Sequence, residues 1–295
     1  RIGDWSSDVC SSDLWKTPQF RLVWLVLCLN VSAGIGILGM ASPLLQEVFG
    51  GKLLGVDVPF GQLNAGQLAS IAAIAAGFTG LLSLFNIGGR FFWASFSDYL
   101  GRKNTYFVFL ALGFALYALI PNLGHLGNVA LFVAAFCIIL SMYGGGFATV
   151  PAYLADLFGT QMVGAIHGRL LTAWAAAGVL GPVLVNYLRE YQLSIGVERA
   201  AAYDITLYIL AGLLVLGFIC NLLVRPVDDK YFMTDAELAA EQALGHDKGA
   251  DSSTVLEWQA SAGSKPLAVA AWLVVGIPLA WGVWVTLQKT AVLFH

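Results

Sequence analysis

The sequence has 295 residues, of which 58% are hydrophobic and only 11% are charged. Soluble domains carry about 25% charged residues because their surfaces face water, so this composition excludes an ordinary water-soluble protein. Most of the surface is expected to contact the lipid bilayer. The net charge of −3 provides no basic field, and we expect no nucleic-acid partner.

Uncharged stretches of sequence predict the membrane helices, because a bilayer core of about 30 Å needs about 20 helical residues without charge. Six stretches lack Asp, Glu, Lys and Arg: 22–46, 58–89, 104–155, 170–188, 205–224 and 266–288. The third is long enough for two crossings, and residues 121–128 in its middle are rich in turn formers. The sequence therefore predicts an all-α membrane protein with seven membrane helices.

The distribution of basic residues predicts the orientation. With the N-terminal side in the cytoplasm, the outer side keeps only Lys52, Arg189, Arg199 and Lys289, as expected if cytoplasmic loops concentrate positive charge. We expect an integral, multi-pass protein of a bacterial plasma (inner) membrane.

The chain divides into four predicted segments. Residues 1–14 contain a near-repeat of Ser-Ser-Asp and lack the apolar core of a signal peptide, which indicates a non-native leader. Residues 15–224 form a six-helix unit. Residues 225–265 form a polar cytoplasmic loop, in which the Thr234–Glu237 capping box predicts a short amphipathic helix. Residues 266–295 hold the last membrane helix.

Catalytic and metal-binding chemistry finds little support in the sequence. No carboxylate lies within any predicted membrane span, which disfavours a proton relay of the kind pumps use. Cys and His lack the spacing of metal or haem ligands, and no nucleophile has a nearby base. We expect no enzymatic activity, no catalytic residue, no metal and no cofactor.

Glycine and proline interrupt two predicted helices. Gly145 and Pro151 lie in one, and Gly181 and Pro182 in another. Such residues either bend a membrane helix beside a solvated cavity or only allow close packing. The sequence leaves both alternatives open.

A charged loop follows the second predicted helix. Gly101 permits a tight turn, Arg102 and Lys103 hold the loop in the cytoplasm, and Asp98 can accept a hydrogen bond or pair with an arginine. Such a contact can break and re-form, so these four residues are candidate gating elements.

The spacing of Asp98, Gly101, Arg102 and Lys103 resembles the cytoplasmic loop motif of the major facilitator superfamily. Residues 86–90, the segment 143–159 and the run 168–182 are similar to the oxalate/formate antiporter branch. The resemblance covers about 15–233 and implies that the first six helices correspond to helices seven to twelve of a carrier. It also implies a partner, the missing N-terminal six-helix half. The seventh predicted helix has no counterpart among helices seven to twelve of such a carrier.

The same resemblance implies part of a substrate site. Oxalate carriers of the branch use two basic residues, and here Arg90 stands at the first position but Trp174 at the second. Asn86 joins them as a candidate substrate-binding residue, one turn before Arg90. From physical arguments alone, Arg90 either binds a carboxylate or extends to the lipid headgroups.

These observations predict secondary transport of a small organic anion by alternating access. The expected substrate is a monocarboxylate such as formate, pyruvate or lactate, with oxalate as a further possibility. The alternative is a non-transporting membrane subunit or sensor that docks a partner through residues 225–265 and the last helix.

Overall fold

The computed structural model describes residues 14–56, 58–160, 162–234 and 264–291, without the side chains of 229, 264–272 and 275. Over these residues the chain forms seven long helices. They are α1 (Pro18–Leu53), α2 (Ala65–Leu100), α3 (Arg102–His125), α4 (Val129–Phe158), α5 (Val163–Ser194), α6 (Asp204–Leu223) and α7 (Ser264–Ala291).

Within that described part, the first six of these helices are long and apolar enough to cross a membrane. The prediction of an all-α membrane protein with a six-helix unit and one further C-terminal helix is confirmed. The predicted turn at 121–128 begins later than expected, because α3 continues through Pro121 to His125. The predicted leader, apart from Leu14, and the predicted loop helix after Thr234 lie outside the described residues.

Local signals fix where the helices begin and end. Asn64 caps α2 through a capping box, in which its side chain accepts from the Gln67 amide at 2.9 Å and its own amide donates to the Gln67 side chain at 2.9 Å. Asn128 caps α4 through a single bond, in which its side chain accepts from the Leu131 amide at 3.1 Å. Gly101 separates α2 from α3 with a φ of 86°, which only glycine adopts without strain.

The packing repeats between the first three helices and the next three. α1 packs against α5 and α6, and in the same way α4 packs against α2 and α3, while α3 contacts α6. Each group of three helices crosses the membrane three times. The second group therefore begins on the opposite side of the membrane from the first. The unit therefore has the inverted three-helix repeats found in many transporters.

α7 lies against α2. The Thr290 hydroxyl donates to the Gly77 carbonyl at 3.1 Å, and a side chain added at Gly80 would meet Thr286. The outward side chains of Trp281 and Trp284 are exposed. The last helix thus uses small residues of α2 for close approach and presents its large apolar residues away from the bundle.

Candidate functional site

Side chains of three helices lie at about the same depth in the bundle. At about 1.5 Å per residue, Arg90 lies about 15 Å from the Leu100 end of α2, which the distribution of basic residues predicts to be the cytoplasmic end. By the same measure, Phe147 of α4 and Trp174 of α5 lie about 16 Å from the cytoplasmic ends of their helices. One turn farther from these ends, Gly34 of α1 faces the ring of Tyr143 from α4.

Arg90 contacts its neighbouring helix through its charged end. The guanidinium carbon lies 5.3 Å from the centre of the Phe147 ring, a cation–π contact. Among the described residues, no carboxylate forms an ion pair with Arg90. Arg90 is exposed, and within the described residues its positive charge lies beside the aromatic residues of α4 without a carboxylate partner.

Aromatic rings surround this charge on one side. Phe147 packs edge-on against Trp174 with ring centres 4.6 Å apart, and Tyr143 lies 5.7 Å from Trp174. All three rings are partly buried. The structure thus brings Arg90 and Trp174 together through Phe147.

Asn86 lies one turn from Arg90, where α2 and α4 approach most closely. A side-chain carbon added at Gly144 would collide with the Asn86 carbonyl, and one at Gly89 with the Ser141 backbone. Gly145 meets the ring of Trp93, whose indole donates to the Ser141 hydroxyl at 3.2 Å. Glycine at these positions therefore allows the helices to touch.

The interrupting residues do not break their helices. α4 continues through Gly145 and Pro151, and α5 continues through Gly181 and Pro182. Gly181 packs against the Ser32 carbonyl of α1. These contacts account for the two glycines by packing, and a bending role for the four residues stays a prediction.

The cytoplasmic loop forms a polar cluster. Asp98 and Arg102 form an ion pair, and Arg102 also donates to the Ser97 carbonyl at 2.8 Å. Lys103 donates to the Val224 carbonyl at 2.5 Å. The loop is therefore bonded both to the end of α2 and to the end of α6.

A buried hydrogen bond lies next to this loop. The Tyr153 hydroxyl of α4 donates to the Asn221 side chain of α6 at 3.1 Å, and the Asn221 amide donates to the Lys103 carbonyl at 3.1 Å. The cytoplasmic ends of α3, α4 and α6 are thereby connected.

One expectation from the sequence is wrong. Carboxylates do lie within the spanning helices, because α1 continues to Leu53 and includes Glu47, and α4 includes Asp156. Glu47 forms an ion pair with Arg189 of α5 at 2.5 Å. The uncharged stretches underestimated the length of the helices, because a paired charge such as Glu47 can be accommodated near a helix end.

Comparison with known proteins agrees with this architecture. The family model of the Major Facilitator Superfamily matches residues 4–182 and 78–294. The chain belongs to the Major Facilitator Superfamily. The superfamily membership predicted from the loop motif is confirmed, and six apolar helices make the chain a multi-pass integral membrane protein.

Curated relatives refine the comparison. The oxalate:formate antiporter of Oxalobacter formigenes is 31% identical over 175 residues, which cover 59% of this chain and 37% of that protein. Two uncharacterized MFS-type transporters of Bacillus subtilis (strain 168), YdeG and YddS, are each 29% identical. The alignments cover 57% and 68% of this chain, and 40% and 44% of those proteins.

The chain therefore spans about two fifths of the length of the curated relatives it matches. The similarity to an oxalate/formate antiporter agrees with the resemblance seen in the sequence. These relatives come from bacteria, so a bacterial inner membrane fits this member of the superfamily.

Two aromatic residues of the site were not identified from the sequence. Tyr143 and Phe147 both lie inside the segment 143–159, whose resemblance to the family points to neither of them individually. Both flank the glycine triplet 144–146. Glycines that bring two helices together leave the neighbouring large residues at the edge of the contact, and this pattern is the signal that points to Phe147.

Proposed function

We propose that this superfamily member forms the C-terminal half of a secondary transporter that moves a small organic monocarboxylate, such as formate, pyruvate or lactate, by alternating access. Its partner is an N-terminal six-helix half, which would enclose the site from the other side. Arg90 is the counter-charge for the substrate carboxylate.

One observation carries this proposal. The Arg90 guanidinium lies over Phe147 at the depth of Trp174, with no carboxylate partner among the described residues. An unpaired charge inside a membrane protein is costly and commonly marks a pathway for substrate or ions. A planar guanidinium also matches the geometry of a carboxylate.

The aromatic rings favour a monocarboxylate over a dicarboxylate. One guanidinium balances one negative charge, and Trp174 supplies an apolar surface where the related oxalate carriers are inferred to have a second basic residue. Asn86 would add a hydrogen bond from the preceding turn. A substrate with one carboxylate and a small apolar or weakly polar remainder fits this arrangement.

The direct test is exchange of labelled monocarboxylate by the complete carrier that contains this chain, reconstituted in liposomes. Arg90→Gln should reduce exchange about ten- to hundredfold, since a hydrogen bond to a charged group contributes about 1.5–3 kcal/mol. Arg225→Gln, which removes one positive charge outside the membrane spans, is the matched control. Normal exchange by a well-expressed Arg90→Gln carrier would refute the assignment.

A second variant tests the substrate class. Trp174→Lys restores a second positive charge near Arg90 and should raise the preference for oxalate over formate, because two charges balance a dianion. The preference is measured by competition of unlabelled oxalate against labelled formate. Unchanged competition would show that Trp174 does not determine the charge of the substrate.

A further inference from the structure

The surface between α3 and α6 is apolar and lies apart from the Arg90 site on α2, α4 and α5. The rings of Phe107 on α3 and Phe218 on α6 pack against each other with centres 4.9 Å apart, and both residues are partly exposed. Leu222, one turn after Phe218, is 59% exposed. Since both helices are long and apolar enough to cross a membrane, these three side chains form an apolar strip that faces the acyl chains of the bilayer.

Two cations lie at the end of this strip that the basic residues predict to be cytoplasmic. Lys103 is the second residue of α3, and its ammonium lies 5.8 Å from the centre of the Phe107 ring. Arg225 follows Leu222 by three positions and comes just after the end of α6. α3 has 24 residues and is therefore about 36 Å long, compared with about 30 Å for the hydrocarbon core of a bilayer. Both cations are therefore expected at the depth of the lipid headgroups.

The chain after α6 brings Arg225 next to Lys103. It leaves the helix extended at Val224, which is buried and whose carbonyl accepts a hydrogen bond from the Lys103 ammonium at 2.5 Å. The carbonyl of Pro226 accepts from the Gln19 side chain of α1 at 3.0 Å. Arg225 lies between these two anchored residues and is itself exposed. The Lys103 ammonium is therefore bonded to the peptide group that joins Val224 to Arg225.

Neither cation has an acidic partner in the described part of the chain, because none of the ion pairs found there includes Lys103 or Arg225. Two acidic residues at this end of the bundle pair with other cations, Asp98 with Arg102 and Asp228 with Lys230. Lys103 has three N–H donors and uses one of them for the Val224 carbonyl. Its other donors and the guanidinium of Arg225 remain available to an anion.

We propose that the apolar strip and these two cations form a binding site for an anionic phospholipid. The lipid phosphate accepts hydrogen bonds from Lys103 and from Arg225, whose planar guanidinium matches two phosphate oxygens. One acyl chain of the lipid lies along the apolar strip. Basic residues at a membrane surface attract anionic lipids, and here the fold fixes two of them at the end of an apolar surface.

A lipid at this site connects three helices. Its phosphate bridges the beginning of α3 and the segment after α6, and that segment is bonded to the beginning of α1 through Gln19. A ligand that binds only the folded protein raises its stability, so the bound lipid should raise the thermal unfolding midpoint. The substrate site is not involved, and lactate exchange should continue with or without this lipid.

The test is a lipid titration of the complete carrier that contains this chain, purified in detergent. The thermal unfolding midpoint is recorded at increasing concentrations of phosphatidylglycerol, and phosphatidylcholine with the same acyl chains is the lipid without net charge. We expect a saturable rise of the midpoint with phosphatidylglycerol only. Arg225→Gln should weaken the apparent affinity about fivefold, and Lys103→Gln/Arg225→Gln should weaken it about 25-fold.

Arg21→Gln is the matched control, because Arg21 is an exposed cation at the same end of the bundle. Arg21 follows Gln19 by two positions, and two positions of a helix differ by about 200°, so Arg21 faces away from the segment after α6. This variant should bind phosphatidylglycerol as the wild type does. Arg225→Lys, which keeps the charge, should retain most of the affinity. An equal loss in Arg21→Gln and Arg225→Gln would indicate attraction to net charge alone and would overturn the proposal.

Two further comparisons separate lipid binding from phosphate binding and from failure to fold. Sodium phosphate should leave the midpoint unchanged, and a rise as large as that with phosphatidylglycerol would overturn the lipid proposal. Equal rises with both lipids, or an undiminished rise in the double variant, would overturn it as well. The midpoint of each variant without lipid shows whether it folds, and Arg225→Gln decides the outcome if the double variant does not. Lactate exchange by the same preparation tests the proposed function separately.

Discussion

At the cytoplasmic end of the bundle, Asp98 near the end of α2 pairs with Arg102 at the start of α3, across the turn at Gly101, and the Asp98 side chain is 62% exposed. At the outer end, Glu47 and Arg189 pair between two helices, and the Glu47 side chain is 6% exposed. An exposed local pair costs little to break and suits a contact that opens and closes. A buried pair is costly to break and suits a site where charge must be controlled.

The largest effect is expected at the outer end. Arg189→Ala leaves the Glu47 carboxylate buried without its counter-charge and should destabilise the protein by about 3 kcal/mol or more. The measurement is the thermal unfolding midpoint in detergent, with Arg199→Ala as the control at an exposed position. An unchanged midpoint would show that solvent already compensates Glu47.

Between the two ends, close packing rather than charge holds α2 against α4. Gly89→Ala places a methyl group against the Ser141 backbone and should cost about 1–3 kcal/mol. The adjacent Gly88 has nothing within 4 Å of an added carbon, so Gly88→Ala is a matched control. Equal unfolding midpoints for the two variants would contradict the close contact.

A smaller effect is expected for the neutral hydrogen bond at the cytoplasmic end. Tyr153→Phe removes the hydroxyl that donates to Asn221, and the loss should be about 1 kcal/mol. Tyr208→Phe, an exposed position on α6, serves as the reference in the same unfolding measurement. A loss as large as that of Arg189→Ala would remove the distinction between the two ends.

The smallest effect is expected for the exposed ion pair. Asp98→Asn should change stability by no more than about 0.5 kcal/mol, since the Asp98 carboxylate is largely exposed and such pairs contribute little. If the pair is a gating contact, the same variant should alter the rate of lactate exchange while the unfolding midpoint stays constant. A large fall in the midpoint would instead assign Asp98 a structural role.

Much of the fold could be predicted because membrane spans depend on local composition. The uncharged stretches located all six helices of the bundle, and the turn at Gly101 followed from the loop motif. The outer end of α1 could not be located in this way. In the sequence, Glu47 marks the end of an uncharged stretch. Its partner Arg189 is 142 positions away in the chain and lies beside Glu47 only in the folded protein.

The candidate site shows the same limit. Arg90 and Trp174 were identified by position in a family pattern, whereas Phe147, which contacts both, was found only in the structure. Side chains on different helices approach one another according to helix rotation and tilt, which a single sequence does not specify.

The sequence by itself determined the membrane environment and the six helices of the bundle, because lipid requires long uncharged segments. Only the tertiary structure decided which charges are paired. Arg90 has no carboxylate partner within the described part of the chain, while Arg189 has Glu47. The pairing of a charge depends on distances of a few ångströms between residues far apart in the chain, and those distances exist only after the helices have packed.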